Sequence, residues 1–316
     1  MEIRKPFIAV IGAGQVGATT AQRVLEKSLC DVVLFDVVEG LPQGKALDLM
    51  QAASIEGYDR HILGTNTIAD ISGAEIVVMT AGLARKPGMS REDLLTSNAK
   101  IVRDVCLNIR QHAPQAKLIM VTNPLDLMTQ LAQEVTGFSP ERVFGMAGVL
   151  DAARMRFFIA DRLGKKPAAI DAMVLGGHGD LMVPVTSQSK TEGKPVRELL
   201  STEAIQAIET RTRNGGAEIV ALLKTGGAFY APASAVAEMV RGVLRDEKLV
   251  CPVCARLSGE YGLRDIYFGV PAKLGKNGVE SIVEIALEDQ EKKALALSAQ
   301  KVRQGLDEIR KLMAKN

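Results

Sequence analysis

Two kinds of stretch alternate along the first half of the chain. Phe7 to Ile11, Val32 to Phe35, Glu75 to Thr80, Leu118 to Thr122 and Val143 to Met146 are short and almost wholly apolar. A strand buried on both faces reads this way. Between them lie stretches of helical composition or spacing: Ala18 to Lys27, Gly44 to Ala53 and Glu92 to His112. In the last of these, Leu94, Leu95, Ile101, Val102, Val105 and Ile109 recur at helical intervals. Buried strands alternating with helices predict an α/β, doubly wound parallel sheet.

The pattern changes near residue 148. A helix opens at Leu150, and Val183 to Ser187 has the look of a strand. Thr202 to Thr225 predicts a long helix with a candidate bend at Gly215-Gly216, and Ala231 to Leu244 predicts another. Short strands are expected around Val250, Ile266-Tyr267-Phe268 and Val279 to Ile285. Asn277-Gly278 would turn a hairpin between the last two. Glu288 to Met313 carries Leu295, Val302, Leu306, Ile309 and Met313 on one stripe, the mark of a terminal helix docked on the body.

The first strand runs directly into Gly12-Ala13-Gly14-Gln15-Val16-Gly17, and the second ends in Asp36. Each position has a physical task. Gly12 makes the tight turn, Gly14 admits a pyrophosphate to the backbone, and Gly17 lets helix and strand pack closely. The helix start offers free N–H groups and a positive dipole end to phosphate. Asp36 can accept both hydroxyls of an adenine ribose and would repel a 2′-phosphate, which favours NAD over NADP. The fold expected is thus a Rossmann-type sheet over residues 1–148, followed by an α+β domain over residues 149–316.

Composition narrows the function classes. In 316 residues, 39 basic and 37 acidic side chains nearly balance, and no basic block or basic-aromatic interleaving marks a nucleic-acid groove. No apolar run reaches membrane-spanning length, and no secretory leader is expected. Four cysteines in a chain this long do not make a disulfide framework, so reduced, cytoplasmic thiols are the default. Cys251 and Cys254 have metal or redox spacing, but the run around them reads as strand and Cys30 and Cys106 are isolated; no metal is expected.

The chain has three histidines, and His178 alone stands in a glycine-flanked turn, Gly177-His178-Gly179-Asp180. An imidazole there can exchange a proton near neutral pH. Asp151 and Arg154 share a helix face three residues apart. An ordinary ion pair is one meaning. The other divides the labour: Asp151 orients His178 and Arg154 grips a carboxylate, provided this helix faces the His178 turn. The stretch from Leu83 to Arg91 carries Arg85, Lys86, Pro87, Gly88 and Arg91 after a strand end, a composition suited to a cationic lid as well as to a solvated loop. Asn123-Pro124 forms a turn at another strand end.

In order and spacing, these motifs resemble the lactate/malate dehydrogenase family along nearly the whole chain. The resemblance is closest to its lactate-dehydrogenase-like malate dehydrogenases. It implies NAD as cofactor, His178 as proton acceptor and Asp151 as its partner. Arg91 would polarise the carbonyl, Arg154 would bind the shared carboxylate, and Asn123 would hold substrate and cofactor. Asn98, Val121 and Thr122 would line the cofactor. Arg85 falls where substrate is chosen. An arginine in a dry pocket pairs with the second carboxylate of malate or oxaloacetate and would be left unpaired by the methyl group of lactate. One departure is Ala84, where such enzymes commonly have proline. A homodimer or homotetramer is also implied. Competing readings are a lactate dehydrogenase, opposed by Arg85; an NAD-containing glycoside hydrolase, which would need a metal site; and a non-catalytic NAD sensor, which would lack one of the key side chains.

Overall fold

The structure is a computed structural model and describes residues 3–83 and 91–314. The first half alternates as its hydrophobic pattern predicts. Strand β1 (Phe7–Ile11) leads to helix α1 (Gln15–Glu26), β2 (Asp31–Phe35), α2 (Leu41–Glu56), β3 (Ile62–Thr65) and β4 (Ile76–Met79). Then come α3 (Arg91–His112), β5 (Lys117–Met120), α4 (Leu125–Thr136) and β6 (Val143–Gly145). Every residue of β1, β2, β4 and β6 is buried, which is why these runs carry no polar alternation. All pairings among β1 to β6 are parallel.

The second half opens with α5 (Gly148–Leu163) and short strands β7 (Ile170–Asp171), β8 (Val174–Leu175), β9 (Val183–Pro184), β10 (Lys190–Thr191) and β11 (Lys194–Pro195). Helices α6 (Val196–Leu199), α7 (Thr202–Leu223) and α8 (Tyr230–Leu244) follow, then β12 (Leu249–Ser258), β13 (Arg264–Gly275), β14 (Gly278–Ile282) and α9 (Asp289–Ala314). The turn before Gly278 joins β13 to β14, with Gly278 at φ 99°.

The sequence reading did not include β3 or α4, and of the strand read over Val183 to Ser187 only Val183–Pro184 forms; further differences lie in the second half. Strands β12 and β13 are ten and twelve residues long, not short, because they pair with each other along almost their whole length. They also join the first-half sheet, through Cys254 opposite Gly145, so that one nine-stranded sheet runs β14-β13-β12-β6-β5-β4-β1-β2-β3. Helix α7 continues through Gly215-Gly216 without a break. Cys251 and Cys254 lie three apart in β12, on opposite faces of the strand, so they cannot converge on one ion; burial pushes the Cys251 thiol up to about 12.

The main core follows the nine-stranded sheet and takes in Ile8, Leu34, Ile119, Phe144, Val240 and Phe268. A smaller cluster, with Met155, Ile159, Val174 and Ile208, packs α5 on α7 and the short strands. Helix α9 docks as its stripe predicts: Leu295, Val302, Leu306 and Ile309 are buried, against α3 and α4 among other elements. These packings bring the α4 start, the α5 start and the turn after β8 together.

Candidate active site

The glycine turn after β1 is built as the motif requires. Gly12 has φ 101°, and a Cβ there would lie 2.8 Å from Thr80 Oγ1. A Cβ on Gly17 would lie 1.8 Å from the Gly12 carbonyl oxygen, so the turn and α1 touch backbone to backbone. A Cβ on Gly14 would meet nothing within 4 Å: this glycine faces open space. Helix α1 has no side-chain cap, so the N–H groups of its first turn, from Gln15, Val16 and Gly17, are left for an anion. Asp36 Oδ2 accepts the Ala13 N–H at 2.7 Å and Oδ1 accepts the Val38 N–H at 2.9 Å. Each oxygen keeps a lone pair for a ribose hydroxyl. The residues thus fit a dinucleotide.

At the neighbouring strand ends, Asn98 and Thr122 act as braces. Asn98 is buried; its Oδ1 accepts the Leu83 N–H at 2.8 Å and its Nδ2 donates to the Asn123 carbonyl at 2.9 Å. Thr122 Oγ1 donates to the Ala81 carbonyl at 2.7 Å. Asn98 thus ties two strand ends together, with both hydrogens of its amide committed to backbone. Val121 is buried at the tip of β5, while Asn123 is exposed.

On the other side of the site, the expected juxtaposition occurs. Asp151 sits in the first turn of α5, only 2 % exposed at its side chain, and its two oxygens face different partners. Oδ2 lies 2.8 Å from His178 Nδ1, and Oδ1 accepts from Arg154 Nη1 at 3.0 Å. The i,i+3 ion pair and the histidine partnership are one bridge through a single carboxylate. An ionised Asp151 makes Nδ1 the protonated nitrogen and leaves the Nε2 lone pair outward. Burial alone would push the His178 proton affinity down. The charge and hydrogen bond of Asp151 outweigh it, with help from Asp126 and against Arg154, so the imidazole titrates above the ordinary histidine value.

The sequence reading missed Asp126 and Ser298, and took Gly215-Gly216 only as a bend. Asp126 Oδ2 accepts the His178 backbone N–H at 2.8 Å, and Ser298 Oγ accepts that of Gly177 at 3.0 Å. Gly215 and Gly216 of α7 face Arg154: a Cβ on Gly215 would stand 3.0 Å from Arg154 Cδ. Asp126 follows directly in the Asn123-Pro124-Leu125-Asp126 run, the one local hint available. Arg85 and the whole of residues 84–90 lie outside the described residues, as does the side chain of Arg91 at the start of α3.

Family models match nearly the entire chain: the lactate/malate dehydrogenase NAD binding domain over residues 7–145 and the lactate/malate dehydrogenase alpha/beta C-terminal domain over residues 148–313. The chain belongs to the lactate/malate dehydrogenase family. A malate dehydrogenase from Nostoc punctiforme is 54% identical over 309 residues, covering 98% of this chain and 94% of that protein. The crystal structure of the Cryptosporidium parvum malate dehydrogenase superposes with a TM-score of 0.95 at 40% identity, over 98% of this chain and all of that one (100%). The lactate dehydrogenase of the same organism, solved with lactic acid and nicotinamide adenine dinucleotide, gives 0.94 at 42% identity, over 98% of this chain and 99% of that one. Fold similarity therefore does not separate the two substrates.

Proposed function

We propose that the chain is an NAD-dependent malate dehydrogenase, interconverting L-malate and oxaloacetate. The observation that carries the chemistry is the Asp151 bridge, which sets a proton acceptor and a carboxylate-binding guanidinium side by side. The choice of malate rests on relatives above half identity that carry that activity and on Arg85 in the sequence. Gly12, Ala13, Gly14, Gln15, Val16 and Gly17 cradle the pyrophosphate, Asp36 takes the adenine ribose, and Asn98, Val121, Thr122 and Asn123 flank the nicotinamide end. Bound NAD supplies the hydride acceptor. The protein's own residues do the rest. Arg154 holds the C1 carboxylate and Arg85 the second one. His178 Nε2 takes the hydroxyl proton as the C2–O bond gains carbonyl character, and Asp151 stabilises the imidazolium formed. In reduction, imidazolium and Arg91 both favour the developing alkoxide.

The test is steady-state turnover with oxaloacetate and with pyruvate, for wild type and Arg85→Gln. Strong preference for oxaloacetate in the wild type, on the order of a thousandfold, should fall or invert in the variant. Equal turnover of both substrates by the wild type would remove the malate assignment.

Residues 1–148 are assigned to cofactor and residues 149–316 to substrate binding and catalysis. The protein is read as a cytoplasmic homodimer or homotetramer. No described helix is long and apolar enough to cross a membrane, and the four cysteines are unpaired. Helix α2 buries only Pro42 and Ala46 within the chain while Leu47 and Ile55 are 62% and 85% exposed, which fits a face covered by a second copy. Light scattering that returned the mass of one chain would exclude this.

A further inference from the structure

His178 is held at two points. Its ring meets Asp151, and its backbone N–H meets Asp126 Oδ2, which reaches it from the first turn of α4, 52 residues earlier in the chain. The next amide back, Gly177, is held by Ser298 of α9. The two acceptors differ in kind. A neutral hydroxyl suffices for Gly177, whereas His178 is given a buried acid.

That acid is expensive to keep. Asp126 is 5% exposed, and its Oδ1 has no hydrogen-bond partner among the described residues. A buried carboxyl oxygen without a partner is destabilising, and an asparagine or serine could accept the same amide hydrogen at lower cost. Burial raises the proton affinity of the Asp126 carboxyl above the ordinary aspartate value; the His178 amide, the charge on the imidazolium, the Cys254 thiol and the positive end of the α4 dipole act against burial and favour the ionised form. The Cys254 thiol of β12 stands beside it. Burial first, then the charge of Asp126, push that thiol well above the ordinary cysteine range, so it brings no competing anion.

We propose that Asp126 is a positioning residue for the reaction: it clamps the backbone of His178 and places a second negative charge beside the imidazolium, behind the one on Asp151. This rests on His178 being the acid-base group. Among the described residues, the charged and titratable groups facing the imidazole are Asp151 and Arg154 from α5 and Asp126 from α4. Lys301 and Glu308 from α9, with Asp180 on the turn itself, line the same cavity of about 550 Å³ as Asp126 and His178. Both carboxylates draw the ring toward its protonated form, Arg154 opposes them, and the carboxylates prevail over burial.

Asp126→Asn retains an acceptor for the His178 N–H and removes the charge, while Asp126→Ala removes both. kcat and kcat/KM for malate are measured across pH at saturating NAD, beside NADH binding by fluorescence and circular dichroism. In Asp126→Asn the acid limb of kcat/KM should move to lower pH, with NADH affinity unchanged. Asp126→Ala should lose on the order of a hundredfold in kcat, since the base is displaced while the Arg154 contact with substrate remains. An unshifted acid limb in Asp126→Asn overturns the proposal, as does wild-type kcat in Asp126→Ala. So does loss of NADH binding and of the folded spectrum in both variants, which would make the residue a core element alone. If only the alanine variant fails to fold, the asparagine acid limb decides. Failure of the underlying activity would show separately, as a wild-type protein that turns over no oxaloacetate.

Discussion

Gly215→Ala sets two effects of known size against each other. Glycine inside a helix is less stable than alanine by about 1 kcal/mol, so on backbone grounds the substitution stabilises α7. The new Cβ, however, would stand 3.0 Å from Arg154 Cδ and 3.4 Å from Nε. Ordinary carbon contacts fall at about 3.5–4.0 Å. The arginine would have to move by about half an ångström, and it is not free to do so: Nη1 is tied to Asp151 at 3.0 Å, and Asp151 holds His178. The expected outcome is a guanidinium swung off its carboxylate-binding pose. Losing one charge-assisted hydrogen bond costs about 1.5–3 kcal/mol, or roughly ten- to a hundredfold in KM for oxaloacetate. NADH affinity should hold, since the new Cβ meets Arg154 and no residue of the glycine turn. Gly216→Ala is the internal control. Its Cβ would meet Arg154 Nη2 at 3.5 Å, an ordinary contact, so it should raise Tm and leave KM unchanged. Steady-state kinetics and melting curves for the two variants decide the matter. If Gly215→Ala kept wild-type KM and gained stability as Gly216→Ala does, the glycines would not be a window for Arg154.

His178→Asn should abolish turnover while NADH still binds; isothermal titration showing lost NADH binding would remove the role given to His178. Gly14→Ala should leave the melting temperature of the cofactor-free protein unchanged, because its methyl group meets nothing within 4 Å, yet weaken NADH binding at least tenfold if the pyrophosphate lies there. Unchanged NADH affinity would place the pyrophosphate elsewhere. His178 titrates above its usual value of about 6.5, and malate oxidation needs the neutral ring. kcat/KM for malate should therefore fall on acidification through a midpoint above about 6.5, and that for oxaloacetate should fall through the same midpoint as pH rises. For stability the sign is the same: the His178–Asp151 pair contributes fully below about 6.5 and its contribution is lost as pH rises through the folded value. A midpoint below about 6.5 would mean that burial, not Asp151, governs the ring.

What could be read from the sequence was chemistry carried by rare or local patterns. The glycine turn and Asp36 lie within about two dozen residues of each other, and the positive φ of Gly12, the contact of Gly17 with the Gly12 carbonyl and the bond from the Ala13 amide to Asp36 all fall inside that span. His178 stood out because the chain has three histidines and only one lies between glycines. Asp151 and Arg154 could be paired by helical spacing, though not aimed at His178, since the approach of α5 to the turn after β8 is a matter of packing. The residues that aim the site were hidden for a related reason. Asp126 and Ser298 act on backbone amides 52 and 121 residues away, and an aspartate early in a helix or a serine late in one is ordinary by itself. Gly215-Gly216 read as a bend because in isolation glycine weakens a helix. With Arg154 in place, the same pair reads as clearance, and α7 runs straight through. The length of β12 was masked by Pro252 and Arg256, residues that interrupt an apolar run, although Pro252 lies opposite Pro271 in a strand that remains paired along both arms. In each case the local pattern named the residue type and the tertiary neighbour decided its meaning. The histidine proposed as the acid–base group is therefore easier to find than the carboxylate that holds its backbone amide, and variants at Asp126 probe a layer of the site that no motif announces.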